Sequence, residues 1–91
     1  MRIQWTSKAN SDLVRLYDFL ALVNPGAAAR TVRVLAAAPG KLLRNPRVHE
    51  QLDEFAPREV RRMFVGNYEM RYEVQGSVIY VLRLWHTRED R

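Results

Sequence analysis

The sequence predicts an α+β domain: a short N-terminal strand, an antiparallel helical hairpin and a small antiparallel β-sheet. Three observations carry this. Residues 7–23 place apolar side chains at helical spacing, residues 27–38 are rich in Ala, and from Val60 the period drops to two across two tight turns. At 91 residues, 47% of them hydrophobic, the chain can build one core, so residues 1–91 are read as a single domain.

Arg2 to Thr6 reads as a strand because Ile3 and Trp5 alternate with Arg2 and Gln4. Thr6 is placed to cap a helix, its hydroxyl accepting an otherwise unpaired N–H of the first turn. Leu13, Leu16, Tyr17 and Leu20 then form one apolar stripe of a helix from Ser7 to about Val23, with Lys8, Asp12, Arg15 and Asp18 on the opposite, solvated face. Asn24-Pro25-Gly26 ends it, and Pro25 suits the start of the next connection. The Ala-rich second helix, Ala27 to Ala38, buries Ala28, Val32 and Leu35 and leaves Arg30 and Arg33 outside. At Pro39-Gly40 that helix either kinks or stops, and a short turn covers Lys41 to Leu43. Asn45 to Pro57 reads as loop with at most one helical turn, anchored by Val48, Leu52 and Phe55.

The last third is a meander. Gly66-Asn67 forms a two-residue hairpin loop that sets Val65 opposite Tyr68 and Met63 opposite Met70 on the core side. A three-residue loop, Gln75-Gly76-Ser77, then sets Tyr72 opposite Tyr80 and Met70 opposite Leu82, with Val78, Tyr80, Leu82 and Leu84 inward and Ile79, Val81, Arg83 and Trp85 outward. On the outer face this register pairs Glu69 with Arg83 and leaves Arg62 opposite Arg71. Two like charges so placed need a counter-charge, which Glu73, Glu59 or a bound partner could supply. Arg61, opposite Tyr72, is expected to snorkel at the sheet edge. Charges on an outward face contribute little to a core, so Arg71→Ala and Arg83→Ala are expected to leave the fold intact.

The formal net charge is +5, and all fifteen basic residues except Lys8 and Lys41 are Arg. Guanidinium suits bidentate recognition of phosphate or carboxylate, which points to nucleic acid, a nucleoprotein machine or an acidic protein as partner. The absence of Cys excludes disulfides, thiolate metal sites and a Cys nucleophile. His49 and His86 stand far apart without metal-ligand spacing, so neither metal nor other cofactor is expected. No apolar run approaches the roughly 20 residues needed to span a bilayer, and the protein is read as cytosolic with no membrane partner.

Ile3-Gln4-Trp5-Thr6, the helical run Asp12 to Leu20, the Asn24-Pro25 turn followed by Ala27-Ala28 and Arg30, the stretch from Val60-Arg61-Arg62 to Tyr72, and the closing Ile79 to Arg88 occur together in one order. In this the chain resembles the RelE/ParE superfamily of small toxins from bacterial toxin–antitoxin pairs, over nearly its whole length. The resemblance implies a helical hairpin packed on a small, mostly antiparallel sheet, and a growth-inhibiting toxin held in a hetero-oligomer by a cognate antitoxin with an acidic, partly disordered segment. RelE-like members cleave mRNA in the ribosomal A site with basic and acid/base side chains on the outer sheet face; ParE-like members act on DNA gyrase. No Lys follows Lys41 and no Tyr follows Tyr80, so the lysine cluster and late tyrosine of RelE-like sites are missing. The long first helix with its Asn24-Pro25 turn is similar to ParE. Gyrase inhibition without chemistry is therefore the expected activity, the alternative being a ribosome-dependent endoribonuclease using Arg62, Arg71, Arg83 and His86.

Arg62, Arg71, Arg83, Trp85 and Arg88 are the expected partner-binding residues. Trp85, on the outward face, suits stacking on a base, capture by an antitoxin, or plain packing. His86 alternates with Leu84 toward the core edge, where a structural histidine competes with a general acid/base. Arg30 and Arg33 form either a solvated face or an antitoxin contact.

Overall fold

The computed structural model describes residues 1–89. β1 (Arg2–Trp5) leads into α1 (Ser7–Ala21) and α2 (Pro25–Ala37), and a 3-10 helix (Ala38–Leu43) continues directly from α2. After β2 (Glu50–Gln51) and a 3-10 turn (Asp53–Phe55) come the long strands β3 (Val60–Val65), β4 (Tyr68–Gln75) and β5 (Val78–His86). One sheet runs in the order β1-β5-β4-β3-β2, with β1 parallel to β5 and all other pairs antiparallel. The helices lie on one face: α1 packs over β5, and α2 packs on α1. No described helix is long and apolar enough to cross a membrane.

Local chemistry sets the helix ends. The Thr6 hydroxyl accepts the Ala9 amide at 3.1 Å and donates to the Val81 carbonyl at 2.9 Å, so one side chain caps α1 and ties it to β5. Asn24 accepts the Ala27 amide at 3.1 Å, with Pro25 in the first turn where its missing N–H costs nothing. α1 stops at Ala21, leaving Leu22 and Val23 85% and 88% exposed at the tip of the hairpin. The core joins Ala9 and Leu16 of α1 to Leu35, Ala38 and Leu42 and to Met63, Met70, Tyr72, Val74, Ile79, Val81 and Leu84 of the sheet. Ala9 and Ala28 are wholly buried, and their small side chains allow close approach of the helices.

Three expectations outside the β4–β5 hairpin change. Leu16 is buried and Leu13 packs on the core as expected, but Tyr17 is partly exposed and Ala9 and Asp12 join the buried face; Asp12, read as a solvated residue, is 3% exposed because donors on β5 await it there. The 45–57 stretch contributes an edge strand, since Glu50 and Gln51 pair with Arg62 and Arg61; Leu52 is buried, Phe55 half-buried and Val48 exposed. Arg61 does more than snorkel. It donates to the carbonyls of Arg47 at 3.2 Å and His49 at 2.7 Å and to Glu59 at 2.9 Å, while the Tyr72 hydroxyl donates to the Pro46 carbonyl at 2.8 Å.

The β3–β4 register is as expected, but the β4–β5 loop is not. Gly76-Ser77 is a two-residue loop with Gly76 at φ +59, a conformation that only glycine adopts freely, and Gln75 pairs with Val78. Ile79 and Val81 then face the core instead of Val78 and Tyr80. The chain restores the outer pattern by a bulge: Tyr72 pairs with Val81 but Arg71 with Arg83, so Leu82 is the extra residue and Leu84 returns to the core.

Candidate partner-binding surface

The bulge has one large consequence for the outer face. Together with the shorter loop it moves Arg83 from the expected place opposite Glu69 to a place opposite Arg71, and Arg71 stands opposite Arg62, so three arginines form one row across β3, β4 and β5. Directly opposed like charges cost about 0.2–1 kcal/mol per pair in the absence of counter-charges. Each is met from within the chain, and neither Glu73 nor Glu59 does it. Arg62 donates from Nε to Glu50 at 3.0 Å, Arg71 from Nε to Glu69 at 3.2 Å, and Arg83 from Nε and Nη2 to Asp12 at 2.8 and 3.2 Å. Glu73 is taken by Arg58, and Glu59 by Arg47 and Arg61.

Each arginine of the row is thus held by its Nε side. The Arg71 guanidinium also lies over two rings, 4.8 Å from the centroid of Trp85 and 5.6 Å from that of Phe55, and Arg62 lies 5.4 Å from Phe64. Phe55 and the Arg58–Glu73 pair lay the 53–58 segment against this face. Beneath the row Glu69 and Trp85 are buried, so Trp85 supports the guanidiniums of Arg71 and Arg83 and offers no open ring for a base to stack on. The side chains of Arg62, Arg71 and Arg83 keep 31%, 22% and 45% exposure.

A second feature organises the far half of β5. β1 ends at Trp5, paired with Val81, and leaves the outer edge of β5 beyond it without a strand. Side chains take its place: the Leu84 amide donates to Asp12 at 2.9 Å, the Leu84 carbonyl accepts from Arg15 at 3.2 Å, and the His86 amide donates to Glu89 at 2.7 Å. Arg15 joins the set by pairing with both Asp12 and Glu89. Burial works to raise the Asp12 pKa, but hydrogen bonds from Arg83, the Leu84 amide and Arg15, with the positive charge of Arg83, outweigh it and hold the carboxyl below its ordinary value.

His86 and Arg88 stand apart from the row. His86 pairs with Tyr68 on the helix side of the sheet, its ring edge-on to Tyr68 at 5.1 Å and its Nδ1 accepting the Arg88 amide at 3.1 Å. Both border a groove of about 460 Å³ between α1 and the sheet end, with Leu16, Phe19, Leu20 and Tyr68 as apolar walls. Phe19 is 69% exposed there, and the groove continues apolar surface toward the hairpin tip. The structure therefore unites Arg62, Arg71, Arg83 and Trp85 and separates them from His86 and Arg88. It adds Asp12, Glu50 and Phe55, which the sequence reading did not place there, and gives Glu69, expected opposite Arg83, to Arg71. Glu69 was legible because it stands two residues from Arg71 on the same strand face, whereas Asp12, Glu50 and Phe55 come from other segments.

Comparison with known proteins agrees with this architecture. The family model described as the ParE toxin of the type II toxin-antitoxin system, parDE, matches residues 3–91. Toxin RelE1 of Caulobacter vibrioides is 34% identical over 85 residues, covering 92% of this chain and 90% of that protein. A solved chain of the chromosomal ParDE TA system from P. aeruginosa superposes with a TM-score of 0.78 at 25% identity, covering 94% of this chain and 95% of that one. With its helical hairpin on a mostly antiparallel sheet, the chain belongs to the ParE toxin family of type II toxin–antitoxin systems, within the RelE/ParE superfamily.

Proposed function

We propose that this toxin arrests DNA gyrase by binding, with the arginine row as its contact surface, and performs no chemistry of its own. The observation that carries this reading is the separation of His86 from the row: they lie on opposite faces of the sheet, so the imidazole is out of reach of any phosphate held by Arg62, Arg71 and Arg83. The carboxylates nearest the row, Glu50, Glu69 and Asp12, are each engaged by a guanidinium of the row itself. What remains is a set of oriented donors suited to oxyanions of a macromolecular surface.

The cognate antitoxin that the family implies is proposed to bring an acidic, amphipathic segment. Its apolar side would fill the groove at Phe19, Leu20 and Tyr68, and its carboxylates would meet the basic groups at the rim, Arg15 and Arg88. Charge complementarity with a +5 domain favours such a partner.

Purified toxin added in parallel to a gyrase supercoiling assay and to a translating extract tests the activity. Loss of supercoiling with intact mRNA is the expected result. Codon-linked cuts in mRNA would instead establish the ribosome-dependent endoribonuclease reading, and no effect in either assay would identify a protein that keeps antitoxin binding alone.

A further inference from the structure

We infer that Asp12 is a positioning residue for the arginine row: from the buried face of α1 it holds one edge of the Arg83 guanidinium and thereby presents the other edge to an oxyanion of the target. This rests on the row being the target surface.

Asp12 receives Nε and Nη2 of Arg83 at 2.8 and 3.2 Å, which is the two-point grip of a carboxylate on a guanidinium fork. Such a grip removes rotation about the end of the side chain, and Nη1 is left without a bond to any described residue. The carboxylate is itself fixed, because the Leu84 amide donates to it at 2.9 Å and Arg15 donates from the same helix. Arg15 shares Oδ1 of Asp12 with Arg83, and Glu89 takes Nε and Nη2 of Arg15, which offsets that second cation. Trp85, whose centroid lies 5.9 Å from the guanidinium carbon, supports the fork from the sheet. A guanidinium anchored in this way loses little freedom on binding, and pre-organisation of that kind raises affinity without adding a contact. Asp12 touches no partner in this account; it acts through Arg83.

Two roles must be told apart, since Asp12 also closes the open edge of β5. Asp12→Asn keeps a side-chain oxygen for the Leu84 amide but removes the charge that grips the fork, and it isolates the positioning role. In the full-length toxin, the Nε–H of Arg83 followed by NMR is expected to exchange slowly in the wild type and fast in Asp12→Asn, while the Leu84 amide stays protected. Supercoiling inhibition is expected to weaken about tenfold in Asp12→Asn and in Arg83→Gln, and the double variant to be no weaker than Arg83→Gln alone. Arg83→Lys keeps the charge without the fork and is expected to lose as much as Arg83→Gln; it carries the test should Asp12→Asn not fold.

Wild-type inhibition by Asp12→Asn beside a weakened Arg83→Gln overturns the positioning role, as do losses that add in the double variant or full activity in Arg83→Lys. Wild-type inhibition by Arg83→Gln overturns the proposal at its base, the target surface. That failure is recognisable because the Nε–H signal still responds to Asp12→Asn.

Discussion

Leu84 donates its amide to Asp12 at 2.9 Å at the point where β1 has already ended, so a helix side chain serves as the neighbouring strand of β5. An unpaired strand edge invites association with another chain, and side chains that saturate its amides blunt that tendency. Asp12 and Glu89 fill this role with Arg15 between them, and the same carboxylate grips Arg83. Edge protection and arginine placement are thus one device.

Two arginines of the row, Arg71 and Arg83, should differ in their effect on stability. Arg83→Ala strips the fork from a carboxylate that is 4% exposed, and even with Arg15 and the Leu84 amide remaining the loss should be about 1–2 kcal/mol, below the full buried-pair range because Arg83 is itself near the solvent. Arg71→Ala should cost about 0.5–1 kcal/mol, since Glu69 keeps Arg62 at 3.9 Å. Urea unfolding of both variants measures the difference, and equal midpoints would remove the special standing given to Asp12. Both variants are still expected to fold, and the larger loss for Arg83 follows from its counter-charge lying on a helix.

Thr6→Ala removes a cap and a link between α1 and β5 at once. A loss of about 1–2 kcal/mol is expected, seen as a lower Tm, and Thr6→Ser should recover most of it because the hydroxyl alone makes both bonds.

Stability should fall in acid. For Asp12, Glu59 and Glu89, burial pushes the carboxyl pKa up, but bonds from Arg83, Arg47, Arg61, Arg15 and the Leu84 and His86 amides outweigh it and set all three below their ordinary values. A depressed folded pKa means that the unfolded chain takes up protons first, so this stabilisation is complete above the unfolded pKa near about 4 and is lost as pH falls through the folded values. Denaturation midpoints measured between neutral pH and about pH 3 should decline, with a shallower decline in Asp12→Asn. An unchanged slope in that variant would argue against its carboxylate being held by guanidinium.

At the alkaline end, burial pushes Tyr72 up to about 12, the Arg61 charge opposing and Glu59 adding to the rise. Its hydroxyl is fully buried and must donate to the Pro46 carbonyl. Unfolded tyrosine ionises near about 10, so stability should drop as pH rises from there toward 12. A spectroscopic titration should show the last tyrosine ionising at about 12, and Tyr72→Phe should abolish that last step.

What the sequence determined by itself is what short stretches of chain decide. Helical spacing placed α1 and α2, Thr6 and Asn24 marked their starts, and Gly66-Asn67 with its flanking alternation set Arg62 opposite Arg71. These follow from periodicity and turn chemistry, which act over a few residues. Only the tertiary structure decided that Leu82 would be a bulge, because a two-residue turn and a buried Leu84 cannot both be met by unbroken alternation. It also decided that Asp12 would be buried, since the partner that makes this favourable, Arg83, lies 71 residues away in the chain, on the stretch of β5 that β1 leaves open. Whether a charge faces water or another charge depends on where distant segments meet, and no local pattern records that.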